Sequence, residues 1–166
     1  MSQGLKRLGL ILALLALGFW AWRFFFPSPE RIIRKNLSAV ARLASFAPNE
    51  GALAKLSNTQ KLTGFCTGDI EIAIDVPGRL PRTLSGRGDL TQAIMSARST
   101  LSALKVEFLD IQVAVGGDRE SAVARLTAKA DLPGEKVPEV QELKVTFQKV
   151  GRDWLIHRVE TVKTLR

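Results

Sequence analysis

A long apolar run near the N-terminus constrains this chain more than any other feature. Residues 8–22 carry no charge, and after a single Arg23 the run continues through Phe24, Phe25 and Phe26. A helix over residues 8–26 would rise about 28 Å, which matches the roughly 30 Å hydrocarbon core of a bilayer. The sequence therefore predicts an N-terminal segment, residues 1–27, that is anchored in the lipid bilayer by one transmembrane helix over residues 8–26.

A cleaved signal peptide is the alternative for this run. Lys6 and Arg7 form a short basic start, and Ala16-Leu17-Gly18 places small residues at the two positions that cleavage requires. We favour the uncleaved anchor, because cleavage there would leave an apolar stub of Trp and Phe residues. The cations on either side of the run favour opposite orientations. A compact domain behind a short N-terminal tail is typical of export, so we expect the domain to be periplasmic or extracytoplasmic.

The rest of the chain, residues 28–166, is long enough for one domain with its own core. The formal net charge of the whole chain is +8, and Lys6, Arg7 and Arg23 account for three of these charges. The remaining basic residues are scattered and are not interleaved with aromatic residues, so we expect no nucleic-acid partner. Cys66 is the only cysteine, which excludes an intramolecular disulfide, and we expect it to be a small buried side chain.

Two helices are predicted at the start of the domain. Ser28, Pro29 and Glu30 form a helix start with an N-cap, a proline at the first position and an acid in the first turn. Apolar residues at helical spacing extend this helix to about residue 46. After a break, we expect Asn49 to cap a second helix that ends near residue 64. Its apolar contacts are predicted to be Leu53, Leu56 and Leu62.

The remainder of the domain alternates in the manner of strands. Residues 69–76 predict a short strand, residues 79–87 a loop, and Asp89 the cap of a short third helix. Four long antiparallel strands follow, and a change of parity near Leu109 in the first of them predicts a β-bulge, which bends a sheet. Helices followed by strands indicate an α+β fold, with a curved antiparallel sheet wrapped around about three helices.

Residues 83–90 (TLSGRGDL) and residues 151–160 (GRDWLIHRVE) carry a resemblance to a known family. They resemble the loop into the third helix and the final strand of the nuclear transport factor 2-like superfamily, which includes the SnoaL-like domains. The resemblance covers nearly the whole domain. It implies a cystatin-like cone with a pocket between sheet and helices, and frequent homodimers that form through the outer face of the sheet. The side chains expected to line the pocket are Trp154, Ile156, Phe108 and Phe147.

This chain departs from the catalytic members of that superfamily. Ketosteroid isomerase-like members use a Tyr hydroxyl, and this sequence contains no Tyr. Scytalone dehydratase-like members rely on His with Tyr, and the single histidine here is His157. Strand alternation groups His157 with Leu155 and Val159, opposite Trp154 and Ile156. We therefore expect His157 to point away from the pocket if Trp154 points into it.

The remaining catalytic candidates are carboxylates that a pocket could desolvate. Asp110 lies near the predicted bulge, which could direct its side chain toward the pocket. Asp69, Glu71 and Asp75 lie on the polar side of their strand, so we expect them to be solvated. The cations Arg79, Arg82 and Arg87 could meet an anionic ligand at the rim of the cone, and solubility is the simpler interpretation. The sequence has no metal-ligand spacing and no nucleotide-binding motif, so we expect neither a metal nor a cofactor.

Two functions are consistent with these observations. The first is a membrane-anchored, non-catalytic module that binds a partner protein or a small apolar ligand at the cell envelope. The second is a SnoaL-like isomerase, dehydratase or cyclase that acts on a small hydrophobic substrate. Buried ionisable groups that converge in the pocket would favour the enzyme, whereas a purely apolar pocket would favour binding.

Overall fold

A computed structural model of the protein describes residues 28–75, 82–135 and 137–162, and for Arg82 it describes the backbone alone. The predicted anchor over residues 8–26 lies outside the described residues, so it stays a prediction. Among the helices of the described part, none is long and apolar enough to cross a membrane.

The first helix, α1, spans Pro29–Ala44 and lies against the sheet with one apolar stripe. Ser28 occupies the N-cap position as predicted, and its carbonyl accepts hydrogen bonds from the first turn, but its side chain makes no capping bond to the helix amides. Ile33, Leu37 and Ala41 are buried at spacings of four residues. Full burial stabilises a side chain such as Ile or Leu by about 1.5–3 kcal/mol, so this stripe fixes α1 on the sheet.

The second helix, α2, spans Ala52–Thr63 and corrects the predicted contacts. Gly51 holds the N-cap position, and Asn49 lies earlier in the turn with a positive φ of 64°. Leu53 and Leu56 are 84% and 47% exposed, so they are not core contacts. The buried residues are instead Thr59 and Thr63. Their hydroxyls bond to the carbonyls of Lys55 and Thr59, and this satisfies their polar groups inside the protein.

Strand β1 (Cys66–Ile74) begins three residues before the predicted start, and β2 (Arg82–Ser85) pairs with it antiparallel. The sequence predicted a loop over the residues that form β2. The third helix, α3, spans Gly86–Thr100 and starts at Gly86, whose φ of +84° favours glycine. Asp89 therefore lies in the first turn of α3 and not at its cap.

Four long strands complete the fold as predicted. They are β3 (Lys105–Val115), β4 (Ser121–Asp131), β5 (Glu139–Val150) and β6 (Asp153–Thr161). The curved six-stranded sheet has the order β2-β1-β6-β5-β4-β3. The expected all-antiparallel sheet is wrong at one position, because β1 runs parallel to β6. A chain that enters the sheet at β1 and returns at β6 crosses over, and such a crossover permits parallel pairing.

The inner face of the sheet and the three helices enclose one hydrophobic core. Alternate residues of β4, β5 and β6 point into it, and Ala122, Ala124, Val145, Phe147 and Trp154 are each at most 3% exposed. Small alanines on β4 lie directly opposite large residues on β5, with Ala122 paired to Phe147. The alternation of small and large side chains lets α1 approach the sheet closely.

Two register shifts bend the long strands. The first lies between Leu109 and Gln112 of β3, where the parity change predicted a bulge, so that prediction is confirmed. The second was missed. Thr146 pairs with Arg158 and Phe147 with Ile156, which leaves His157 as an extra residue in β6. Val159 therefore packs against the core and does not share the side of His157, as simple alternation had implied.

Candidate functional site

The interior of the cone is filled by packed side chains. Three of the four residues expected to line a pocket, Trp154, Ile156 and Phe147, are 2%, 6% and 1% exposed and belong to the core. Ile33 and Leu37 of α1 pack into the same cluster. The space between sheet and helices, where the resemblance implied a pocket, is thus occupied at these positions by the protein's own aliphatic and aromatic groups.

The fourth pocket residue, Phe108, lies at the surface opening between α1 and β3. A groove of about 550 Å³ runs between these two elements, and we call it the α1–β3 groove. Val106, Phe108 and Leu109 form its apolar wall, and Leu109 is 46% exposed. The residues that line the groove are Ser38, Ala41, Arg42, Ser45, Lys105, Val106, Glu107, Phe108 and Leu109.

Hydrogen bonds to backbone groups connect α1 and the segment after it to the start of β3. The hydroxyl of Ser45 accepts a hydrogen bond from the amide of Val106 at 2.9 Å and donates to the carbonyl of Ala41 at 2.8 Å. Phe46 and Leu104 add a pair of backbone hydrogen bonds beyond it. These contacts cover the start of the β3 edge strand, which would otherwise expose unpaired amides and carbonyls.

The cations that line the groove differ in whether they form ion pairs. Lys105 forms an ion pair with Glu107 at 2.8 Å, and Lys129 approaches the other carboxylate oxygen of Glu107 at 3.8 Å. Hydrogen bonding and the charge of Lys105 hold the pKa of Glu107 below its usual value. Arg42 is exposed and forms no ion pair with a described residue. Among the described residues, the groove therefore combines an apolar wall with a cation, Arg42, that has no ion-pair partner there.

Asp110 lies in the β3 bulge, directly beyond the groove residue Leu109. Its φ is +52°, a conformation that Asp and Asn tolerate better than most residues. Its side chain is exposed, so the bulge does not direct it into the core. Asp110 is thus the ionisable catalytic candidate nearest to the groove.

His157 lies at the bulge of β6, on the side away from the core. Its Nδ1 atom is 3.4 Å from the hydroxyl of Thr67 and 3.5 Å from Oδ1 of Asp69. Hydrogen bonds from Thr67 and from the backbone, with a smaller contribution from His157, hold the pKa of Asp69 below its usual value. Both neighbours approach the same ring nitrogen, whereas a relay needs a partner on each nitrogen.

The structure does not bring the catalytic candidates together. Two strands separate β6 from β3 in the sheet, so His157 and Asp110 lie on strands about 14 Å apart. Glu71 forms an ion pair with Arg158 at 3.0 Å on the outer face, and the amide of Asp75 donates to the hydroxyl of Thr161. Glu71 and Asp75 therefore make contacts within the sheet and do not converge on a cavity.

The predicted arginine cluster is only partly described. Arg79 lies outside the described residues, as does the side chain of Arg82. Arg87 lies in the first turn of α3 and donates a hydrogen bond to the carbonyl of Cys66. Cys66 is buried as predicted, and burial raises the pKa of its thiol to about 11, with the charge of Arg87 acting in the opposite direction.

A buried ion pair in the helices was not predicted. Arg98 of α3 is 2% exposed and contacts Glu50 through Nη1 at 2.7 and 2.5 Å. It also donates to the carbonyl of Leu43 and lies 5.0 Å from the ring centre of Phe46. Burial raises the pKa of Glu50, but hydrogen bonds from Arg98 and Asn58 outweigh it and lower the pKa overall. Arg98 thus holds the α1–α2 connection against α3.

A second groove lies between α1 and α2. It encloses about 580 Å³, with Ala39, Leu43 and Phe65 as its apolar residues. Arg42 and Lys61 also line it, and neither forms an ion pair with a described residue. Arg42 is therefore shared by both grooves beside α1. No group of three or more metal-ligating side chains occurs among the residues that the structure describes.

Comparisons with known proteins identify the fold. No protein-family model and no curated protein matches the sequence. Among solved structures, a nuclear transport factor 2-like protein with a cystatin-like fold from Novosphingobium aromaticivorans is 18% identical, with a TM-score of 0.60 over 97% of this chain and 90% of its own. A second, of unknown function, from Pseudomonas putida is 11% identical, with a TM-score of 0.62 over 82% and 87%.

A third similar structure bears an enzyme name. It is described as a candidate scytalone dehydratase from Novosphingobium aromaticivorans, and it is 14% identical with a TM-score of 0.59 over 81% of this chain and 83% of its own. These likenesses establish a nuclear transport factor 2-like, cystatin-like α+β fold for the domain, as the sequence predicted. Identities this low establish the fold and not the activity.

Proposed function

We propose that this protein is a membrane-anchored, non-catalytic binding module that takes a small apolar ligand with an anionic end in the α1–β3 groove. The observation that carries the proposal is the contrast between a filled interior and an open groove. Trp154 and Phe147 occupy the centre of the cone, whereas Phe108 and Leu109 remain partly exposed between α1 and β3. Partly exposed apolar side chains beside a few polar groups are typical of ligand sites.

Each part of the groove has a place in this proposal. The apolar wall of Val106, Phe108 and Leu109 removes an alkyl or aromatic portion from water. Arg42 has no ion pair among the described residues and supplies the charge for an acid group on the ligand. The apolar run of residues 8–26 supports a bilayer location, where ligands of this kind are abundant.

A photoreactive fatty acid tests the groove. We expect diazirine-bearing palmitate, added to the full-length protein in nanodiscs, to label residues 38–45 and 105–109. Leu109→Glu should lower this labelling at least about fivefold, since it places an anion in the apolar wall. Val140→Glu is the matched control, because Val140 is also exposed, at 60%, but lies on β5 away from the groove. Labelling that concentrates on Trp154 and Phe147, or that ignores Leu109→Glu, would contradict the proposal.

The second candidate function is a SnoaL-like isomerase, dehydratase or cyclase acting on a small hydrophobic substrate. One observation favours it: Asp110 holds a positive φ at a bulge beside the groove, and strained backbone is frequent at active sites. A general base contributes about 10²–10⁴-fold to a rate. Asp110→Asn should therefore abolish most turnover of small cyclic ketones or alcohols, because Asn keeps the backbone conformation. Turnover that survives this change would exclude Asp110 as the base.

A further inference from the structure

The net charge of the domain is unevenly distributed along the chain. Residues 28–65, which hold α1 and α2, contain six Lys or Arg and two Asp or Glu, a net charge of +4. Residues 66–166 contain fifteen Lys or Arg and fourteen Asp or Glu, a net charge of +1. Most of the net positive charge of the domain therefore lies in the segment that holds α1 and α2.

The cations of α1 have no ion-pair partner in the part of the chain that the structure describes. Arg31, Arg34, Lys35 and Arg42 are all exposed, and none forms an ion pair with a described residue. Lys61 of α2 shares a groove with Arg42 and is equally unpaired. We call these five residues the cationic helix face. Four of them lie at helical spacings of three, one and seven residues, which keeps them on the outer side of α1, away from Ile33 and Leu37.

On the sheet, several charged residues form ion pairs with one another. Lys144 pairs with Glu160 at 2.7 Å, and Arg158 pairs with Glu71 and Glu160 at 3.0 and 3.1 Å. A separate group joins Lys105, Glu107, Lys129 and Asp131. Four cations of the sheet, Lys105, Lys129, Lys144 and Arg158, are thus paired with carboxylates of the chain. The five residues of the cationic helix face have no such pair among the described residues and can bind an anionic partner.

Two further observations indicate what that partner is. Arg31, Arg34 and Lys35 follow the apolar run of residues 8–26 by only five, eight and nine positions. In addition, α2 leaves Leu53 84% exposed and Leu56 47% exposed among the residues that the structure describes. A basic helix surface together with exposed leucines is typical of elements that lie on an anionic bilayer surface.

We infer that the cationic helix face docks on the anionic headgroups of a lipid bilayer, so that the helices face the membrane and the outer face of the sheet faces away from it. The inference rests on the proposed membrane location and adds an orientation and a lipid requirement to it. Each cation near an anionic surface strengthens binding by about fivefold at physiological ionic strength. Four or five such residues are sufficient to hold a tethered domain in one orientation.

Energy transfer from the domain to the lipid surface tests this orientation. The full-length protein, with Cys66→Ala, carries a donor fluorophore at Ser38→Cys on α1 or at Gln148→Cys on β5, both of which are exposed. It is reconstituted into vesicles of phosphatidylcholine alone or with phosphatidylglycerol, with an acceptor on a headgroup. We expect phosphatidylglycerol to raise transfer from position 38 and not from position 148. Salt near 1 M should abolish the increase in transfer from position 38, since it shortens the electrostatic screening length to about 3 Å.

Matched charge variants identify the surface. Arg34→Gln with Lys35→Gln should lower the ratio of docked to undocked domain roughly 25-fold, from two contributions of about fivefold each. Arg125→Gln with Lys149→Gln removes the same charge from exposed sheet positions and should change the ratio less than about twofold. The exchange Arg34→Lys with Lys35→Arg preserves charge and should preserve docking, which separates loss of charge from loss of folding.

The outcomes separate this inference from the proposed anchor. Flotation with neutral vesicles supports the anchor, and a lipid-dependent signal at position 38 then supports docking. Flotation with anionic vesicles alone, lost in Arg34→Gln with Lys35→Gln, supports docking and contradicts the anchor. Equal transfer from positions 38 and 148 in all vesicles overturns docking. So does tight binding of duplex DNA or polyglutamate by protein whose position 38 does not respond to phosphatidylglycerol, because the partner would then be another macromolecule.

Discussion

The outer side of α1 and the outer face of the sheet, two solvent-facing surfaces of this domain, differ in how their charged residues are paired. On the sheet, Arg158 lies between two carboxylates, Glu71 and Glu160. On α1, Arg31 and Lys35 lie one helical turn apart, and neither forms an ion pair with a described residue. Paired charges stabilise a fold slightly, whereas like charges one turn apart destabilise it. The charges of α1 are therefore better explained by a partner than by folding.

The inner and outer faces of the sheet also differ in their side chains. Its inner face carries Trp154 and Phe147 in a closed core, and its outer face carries the ion pairs. The expected homodimer through the outer face stays a prediction, and such a dimer would have to bury these charged groups at a cost. Function in this domain is more consistent with the surface around α1 than with the sheet.

The largest expected effect is on the inner face. Trp154→Ala should lower the free energy of unfolding by about 3–5 kcal/mol, as large-to-small changes in a core do. Leu155→Ala, one residue later and half-buried on the outer side, should cost only about 1 kcal/mol. Chemical denaturation of both variants measures the difference. Equal losses would mean that the two faces of β6 are not distinct.

The buried ion pair of Arg98 and Glu50 is an exception among the charged residues of the helix layer. Its loss is expected to have the next largest effect on stability. Arg98→Met should destabilise the protein by about 3 kcal/mol, because it leaves Glu50 without its buried partner. The double variant with Glu50→Met should recover most of this loss. Because the folded pKa of Glu50 is lowered, its contribution is present above about pH 4.5 and is lost as the pH falls through the folded pKa. The gap between wild type and Arg98→Met should therefore narrow in acid, and a gap that widens would contradict the pairing.

The smallest effects are expected to have opposite signs in the two layers. Arg158→Gln should cost up to about 1 kcal/mol, since it breaks two surface ion pairs. Lys35→Gln removes a like-charge contact with Arg31 and should stabilise the protein by about 0.2–0.5 kcal/mol. Raising the salt concentration should reduce both changes. Losses of the same sign and size would remove the distinction between the layers.

The long strands were predictable because each has one buried and one solvated face. Alternation of apolar and polar residues predicted β4 and β5. A change of parity that is visible in the sequence predicted the bulge of β3. Strand β2 was missed because its four residues show no such pattern and depend on pairing with β1. The contacts predicted for the second helix were wrong at Leu53 and Leu56, which are exposed, and its buried positions are threonines. Side-chain hydrogen bonds inside the helix, which composition does not reveal, allow that burial.

The candidate site was less predictable than the fold. Phe108 was expected to line a pocket between the sheet and the helices, and that role stays a prediction. The structure places it in a groove between elements distant in sequence, whose other wall comes from α1. The burial of Arg98 could have been predicted, because Arg98 follows Leu90 and Ile94 at intervals of four residues and thus lies on the inward-facing side of α3. Its partner Glu50 lies 48 residues away, and no local pattern indicates that contact.

Methyl signals of the full-length protein offer the most direct measurement of which layer faces the bilayer. In anionic nanodiscs with gadolinium attached to lipid headgroups, we expect the methyls of Leu43, Leu53 and Leu56 in the helix layer to relax fastest. The methyls of Val123, Val140 and Leu155, which belong to the sheet, should keep the relaxation rates that they have without gadolinium. Faster relaxation of the sheet methyls, or equal enhancement in both sets, would contradict a membrane-facing helix layer.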